Sequence, residues 1–141
     1  MLLNKRLYKG FSLIELLVVL VILGLLAAVV GPRVMNELGG AKADTTRLQI
    51  KELGAALDIF SLDVGRYPSS EEGLESLIIE PGNSKNWNGP YLKKKTIPVD
   101  GWGNDFSYKS PGDNGDYDLY SLGKDKAQGG EKENADINSW E

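Results

Sequence analysis

Hydrophobic and polar positions change their pattern three times along the chain. Residues 16–30, Leu-Leu-Val-Val-Leu-Val-Ile-Leu-Gly-Leu-Leu-Ala-Ala-Val-Val, are fifteen uncharged positions without a break, and Glu15 is the one charge between them and Phe11. Twenty residues at 1.5 Å each reach ~30 Å, the thickness of a bilayer core, so this stretch predicts a membrane-spanning helix. After Pro32 the pattern stays helical but becomes one-sided. Ile50, Leu53, Leu57, Phe60 and Val64 recur at steps of three and four, one face of a helix, while Arg47, Lys51, Glu52, Asp58 and Asp63 fall largely elsewhere. That stripe reads as core against a sheet. Gly39, Gly40 and Gly54 weaken the helix without ending it, and Gly65 ends it. A helix from about residue 11 to 63 would be ~75 Å long, too long for a compact domain unless half lies in lipid or a fibre.

Beyond Gly65 the periodicity shortens. Ser69 or Ser70 can cap a short helix whose first turn is favoured by Glu71, Glu72 and Glu75 and whose apolar side is Leu74, Leu77 and Ile78. Two turn-rich aromatic blocks follow, residues 87–92 and 98–106, with Trp102 and Phe106 expected to pack beneath the second. Phe106 to Lys109 alternates as a strand, Asn114-Gly115 predicts a tight hairpin turn, and 116–122 is the return strand with Tyr117, Leu119 and Ser121 on one face. Asp113 to Asp118 also loosely suggests half an EF-hand loop, but the downstream Glu and flanking helices are missing, so the hairpin reading is preferred. Residues 122–139 are expected to be a loop rich in Gly, Asp, Glu and Asn with little apolar surface to fix it.

Charge changes this picture by giving the helix a direction. The first ten residues carry Lys5, Arg6 and Lys9 and no acid, whereas 33–141 carry thirteen basic and nineteen acidic residues, a net of −6. Basic residues ahead of an apolar span hold that end in the cytoplasm, which puts everything after Pro32 on the far side. The acidic balance excludes nucleic acid as a main partner. Lys93, Lys94 and Lys95 read as a solvated loop rather than a docking patch. The chain has no Cys and no His, which removes disulfides, thiol nucleophiles, imidazole bases and nearly all zinc sites. A secretory signal peptide is a rival reading of the apolar run, with a weak cleavage candidate at Ala27-Ala28 to Gly31. The sharper pattern precedes the run.

Lys9-Gly10-Phe11-Ser12-Leu13-Ile14-Glu15-Leu16-Leu17-Val18 closely resembles the class III signal of type IV pilins and type II secretion pseudopilins. The resemblance implies a basic leader over 1–10, removed by a prepilin peptidase that cuts between Gly10 and Phe11 and N-methylates Phe11. It implies a transmembrane and assembly segment over 11–32 and a periplasmic domain over 33–141. A carboxylate beside a membrane core is costly and points to a function. After cleavage, the new amine on Phe11 of one subunit would neutralise Glu15 on a neighbour, setting axial register, because a buried charge without its partner costs several kcal/mol, roughly 3–5. Gly24 and Pro32 are helix-weakening positions; the resemblance suggests local melting between them on assembly, the plainer reading being a Gly tolerated in lipid and a Pro at the end of the span.

Gly65-Arg66-Tyr67-Pro68-Ser69 with Gly73-Leu74 and Leu77 resembles the signature of the major type II secretion pseudopilins, and Pro98 to Gly103 resembles their Pro-x-Asp-Pro-Trp-Gly block, with Gly101 in place of the second Pro. That substitution is expected to loosen the turn. Ser121 to Asp125 and Ala135 to Trp140 resemble the family's calcium loop. Carried over, Asp125 and Asp136 supply carboxylates and Leu122 a backbone carbonyl to Ca²⁺, with the Gln128 carbonyl as a further candidate; Lys126 stands where Gly is common. Trp140 is expected to anchor the chain end on the sheet.

The expected fold is thus α+β and type IV pilin-like: a long N-terminal helix, membrane-spanning in its first half, packed on a small antiparallel sheet with a C-terminal calcium-type loop. The expected function is structural, without catalysis. Inner-membrane subunits would stack into a helical periplasmic pseudopilus, a homo-oligomer acting as piston or screw, together with minor pseudopilins and an inner-membrane assembly platform. It would push folded exoproteins through an outer-membrane secretin. Two alternatives remain at this point: a type IV pilin of a surface or DNA-uptake fibre, and a bitopic membrane enzyme, which the missing His and Cys disfavour.

Overall fold

A computed structural model of the chain describes residues 8–82 and 84–141. The expected leader residues Lys5 and Arg6 lie outside that range. A single helix, α1, runs Leu13–Val64, through Gly24, Pro32 and both glycines at 39 and 40. The chain divides into a first compact unit ending at Glu37 and a second, Leu38–Glu141.

In the first unit the helix is apolar all round from Leu16 to Val30, and no described residue covers it. Fifteen Leu, Ile and Val side chains between Leu13 and Val34 are each at least 49% exposed. At about 1.5 kcal/mol for each side chain left in water, the sum is on the order of 20 kcal/mol, more than the net stability of a whole domain. Water is the wrong solvent for this segment. It is long and apolar enough to cross a membrane, with a mean hydropathy of 3.1 in its most apolar window.

In the second unit the one-sided stripe finds its partner. Ile50, Leu53, Leu57 and Phe60 are buried as the period predicts, and they cluster with Leu74, Leu77, Phe106, Leu119 and Ile137. The sheet is antiparallel with order β1-β2-β3: β1 is Ser107–Lys109, β2 Asp118–Ser121 and β3 Ile137–Asn138. Tyr108 pairs with Leu119, and Ser121 with Ile137. Trp140 caps the sheet edge-on against Tyr120, ring centroids 6.0 Å apart.

Four details differ from the sequence reading. The hairpin does not turn at Asn114-Gly115: the last pair is Lys109 with Asp118, so the connection is a wider loop over 110–117. Asp118 gathers that loop, accepting from the amides of Asp113 at 2.9 Å and Asn114 at 3.1 Å. Burial alone would raise the Asp118 carboxyl, but these donors hold it below its ordinary value. The short helix after Ser69 is a 3-10 helix, Leu74–Leu77. Ser69 and Glu72 exchange backbone-to-side-chain hydrogen bonds in the turn ahead of it, at 2.8 and 3.2 Å. The segment 122–139 is not structureless, since it holds a 3-10 helix, Lys132–Asn134, and β3. Finally, Gly101 does not loosen its turn. A side chain there would collide with the Lys42 carbonyl of α1, and the Gly101 amide donates to Thr46 Oγ1 at 2.9 Å. Proline has no amide hydrogen with which to make that bond.

Candidate functional site

At the N-terminus, Gly10 and Phe11 are exposed and precede the first helical turn. Ser12 and Glu15 form a reciprocal pair: the Ser12 amide donates to Glu15 Oε2 at 2.8 Å, and the Glu15 amide donates to Ser12 Oγ at 3.2 Å. This is a capping box, which satisfies free amides at the helix start. Glu15 thus has a local role beside the intermolecular one expected of it, and Ser-x-x-Glu ahead of an apolar run is the signature of that local role. The box uses one carboxylate oxygen; Oε1 accepts no hydrogen bond among the described residues. Phe11, Ile14, Glu15, Leu16, Val18 and Val19 line a shallow, almost wholly apolar concavity beside it. Gly24 and Pro32 both lie within continuous helix.

The acidic loop begins where β2 ends. Asp125 and Gln128 are exposed, whereas Leu122 and Asp136 are half-buried. Asp125 Oδ1 accepts from the Ala127 amide at 3.1 Å, and Lys126 takes the left-handed conformation, φ 56°, that a Gly would adopt freely. Asp136 Oδ2 accepts from the Gly129 amide at 2.9 Å, while Asp136 Oδ1 is buried without a hydrogen-bond partner among the described residues. A buried carboxylate oxygen left unpaired is costly, and a hard cation is one thing that satisfies it. No three His, Cys, Asp or Glu residues converge among those described. Two carboxylates supplemented by main-chain oxygens would make a Ca²⁺-type donor set rather than a transition-metal one.

Three residues outside the predicted set organise this loop. Glu133 lies over Gly39 of α1, where a side chain would collide with it, and accepts from Lys124 Nζ at 3.0 Å. Asp100, with 4% of its surface exposed, accepts from the amides of Trp102 and Asn104, both at 2.9 Å, and from Ser121 Oγ at 2.6 Å. Ser121 Oγ in turn accepts from the Gly123 amide at 3.1 Å. Partners 21 residues apart leave no periodic trace, so only the Pro-x-Asp turn around Asp100 was visible in advance.

The model of type II secretion system protein G matches residues 33–140, and that of the prokaryotic N-terminal methylation motif matches 5–31. A type II secretion system core protein G of Pseudomonas aeruginosa is 49% identical over 98% of this chain and 99% of its own length. Its namesake from Vibrio cholerae is 42% identical over 97% of this chain and 94% of its own. The crystal structure of the major pseudopilin from the type 2 secretion system of enterohaemorrhagic Escherichia coli superposes with a TM-score of 0.61 at 30% identity, covering 75% of this chain and 92% of that one.

Proposed function

The chain belongs to the type II secretion system protein G family, the major pseudopilins, and from that premise we propose that it is cut between Gly10 and Phe11, N-methylated on Phe11, and polymerised in the periplasm. The family is one of structural subunits. The rival reading as a surface-fibre pilin rests on the shared N-terminal segment alone, while the protein G match extends over the C-terminal domain.

The observation that carries the proposal is the uncovered helix from Leu13 to Val34, most of which lies within the methylation-motif match over 5–31. Such a surface is stable in lipid before assembly and against neighbouring helices after it. The basic leader fixes the N-terminus in the cytoplasm and the domain beyond Pro32 in the periplasm. Glu15 then does two things with its two oxygens. Oε2 keeps the capping box with Ser12, and Oε1 is free to take the cationic amine of Phe11 on a neighbour. Neither charge leaves lipid unpaired, and only one axial offset pairs them. Growth of the pseudopilus from an inner-membrane assembly platform, with minor pseudopilins, would move folded exoproteins through the secretin.

The same proposal assigns Ca²⁺ to the acidic loop. Asp136 and Asp125 would hold it, with the carbonyls of Leu122 and Gln128; the unpartnered Asp136 Oδ1 supports this. The ion would supply positive charge that stands in for an apolar core in a segment lacking one.

Replacing Glu15 tests the assembly half. Glu15→Ala should be cleaved and inserted normally yet fail to form filaments, scored by electron microscopy and by cysteine crosslinking between subunits. Filaments of normal yield and register would remove the role proposed for Glu15.

A further inference from the structure

Asp100 is a buried carboxylate with no ion pair among the described residues, which makes its three donors its whole support. Burying such a charge is tolerated when several charge-assisted hydrogen bonds replace its water. All three partners give protons and none asks for one. The Ser121 hydroxyl accepts from the Gly123 amide, so its own proton goes to Asp100. An asparagine at 100 would present a donor of its own to one of these three groups. The arrangement selects a carboxylate.

The consequence lies one peptide further on. The Leu122–Gly123 bond is trans, the cis bonds of the described chain being Gly89-Pro90 and Ser110-Pro111. In a planar trans peptide the N–H and the C=O point in opposite directions. With the Gly123 N–H held by Ser121, the Leu122 carbonyl must face away from the Asp100 side. The Gly123 carbonyl is held as well, by Asn104 Nδ2 at 3.0 Å. Gly123 has φ 69°, and a side chain there would meet the backbone of Glu133, Asn134 and Ala135 at 2.9 Å. The segment that leads into Asp136 therefore lies directly against this residue. The other flank of Asp100 is moored to α1, since the Gly101 amide donates to Thr46 Oγ1 and Thr46 Oγ1 donates to the Lys42 carbonyl at 2.8 Å.

We propose that Asp100, acting through Ser121, is a positioning residue that fixes the Leu122 carbonyl in place as a ready-made main-chain ligand for a divalent cation in the 122–136 loop. The proposal rests on the cation reading of that loop. It places the origin of the site's preorganisation in the Pro98–Phe106 turn and ultimately on the helix, outside the acidic loop itself.

The test uses the full-length chain in detergent micelles. Calcium is titrated after EGTA treatment, and thermal unfolding is followed for the wild type, Asp100→Asn, Ser121→Ala and a control, Leu77→Ala, which truncates a core side chain outside the Asp100–Ser121 hydrogen-bond network. The two network variants should raise the calcium midpoint tenfold or more. The control should lose thermal stability with its midpoint unchanged, which separates positioning from general destabilisation. In EGTA, hydrogen exchange at the Gly123 amide should be at least tenfold faster in Ser121→Ala, a variant that also serves if Asp100→Asn does not fold. Wild-type midpoints and wild-type Gly123 protection in both variants would overturn the proposal. A wild-type chain indifferent to calcium, with Gly123 protection lost in the variants, would instead retire the cation and keep Asp100 as the hold on this peptide.

Discussion

Between Leu13 and Val34 every Leu, Ile and Val of α1 is at least 49% exposed, whereas further along the same helix Ile50, Leu53, Leu57 and Phe60 are no more than 5% exposed. The two stretches differ in arrangement rather than in apolar character. The first is apolar on all sides, so only a surrounding medium of lipid or other helices satisfies it. The second is apolar on one stripe, so one partner suffices, and the chain provides it from the 3-10 helix and the sheet. The same contrast holds for two capping boxes of matching dimensions. Ser12–Glu15 stands alone at an exposed helix end, while Ser69–Glu72 is also gripped by Arg66 at 2.6 and 2.8 Å.

The largest test of that contrast places one truncation in each stretch. Phe60→Ala should cost the Leu38–Glu141 domain about 3–5 kcal/mol in denaturant unfolding, as buried aromatic truncations do. Leu20→Ala should change the same transition by less than about 0.5 kcal/mol, because that side chain is 67% exposed and outside the domain core. Comparable losses would erase the distinction. A second test asks whether the domain is fully self-sufficient. If the acidic loop takes Ca²⁺, chelation should lower the domain's stability by roughly 3 kcal/mol at a hundredfold excess of ion over its Kd, and Asp136→Ala should remove the response, as read by calorimetry with and without EGTA.

A smaller effect is expected where helix and turn meet. Gly101→Ala pushes a methyl group into the Lys42 carbonyl and should cost about 1–3 kcal/mol in thermal unfolding, whereas a loose turn would absorb it for nothing. The smallest concerns acid. The Arg66 guanidinium and the Ser69 donors bring the Glu72 carboxyl down to about 2 from 4.5, against the opposing effect of burial. Its folded value lies below its unfolded one, so the unfolded chain binds more protons between them, and stability falls as pH drops through that window. Glu72→Gln should flatten this acid limb of a stability–pH curve by roughly 1 kcal/mol, a modest figure because Arg66 is half-exposed.

What was legible in the sequence follows the range of the interactions. The three-and-four stripe from Ile50 to Val64 and the apolar run before Pro32 are local patterns, and both mark the one helix α1. The basic leader, Gly10 and the Glu15 spacing carried the family. Ile137–Asn138 is too short for any alternation to register, so β3 falls inside a stretch whose composition marks it as loop. Asn114-Gly115 favours a tight turn on its own, but Asp118 reaches back to the Asp113 and Asn114 amides and keeps the loop wide. Gly101 resembled a weakened proline position because its partners, Lys42 and Thr46, lie more than fifty residues earlier. The role of Asp100 leaves no local trace because Ser121, the partner that ties it to the loop, lies 21 residues away. Turn chemistry is written locally; the groups that hold a turn onto a helix are not.

In the proposed mature protein the apolar stretch begins at Phe11 and is kept from water by lipid and by neighbouring subunits. Intact-mass and N-terminal peptide measurement of the protein from membranes of a host with an active prepilin peptidase tests it directly. The expected chains start at N-methylated Phe11. Chains that retain Met1 to Gly10 in that host would contradict it.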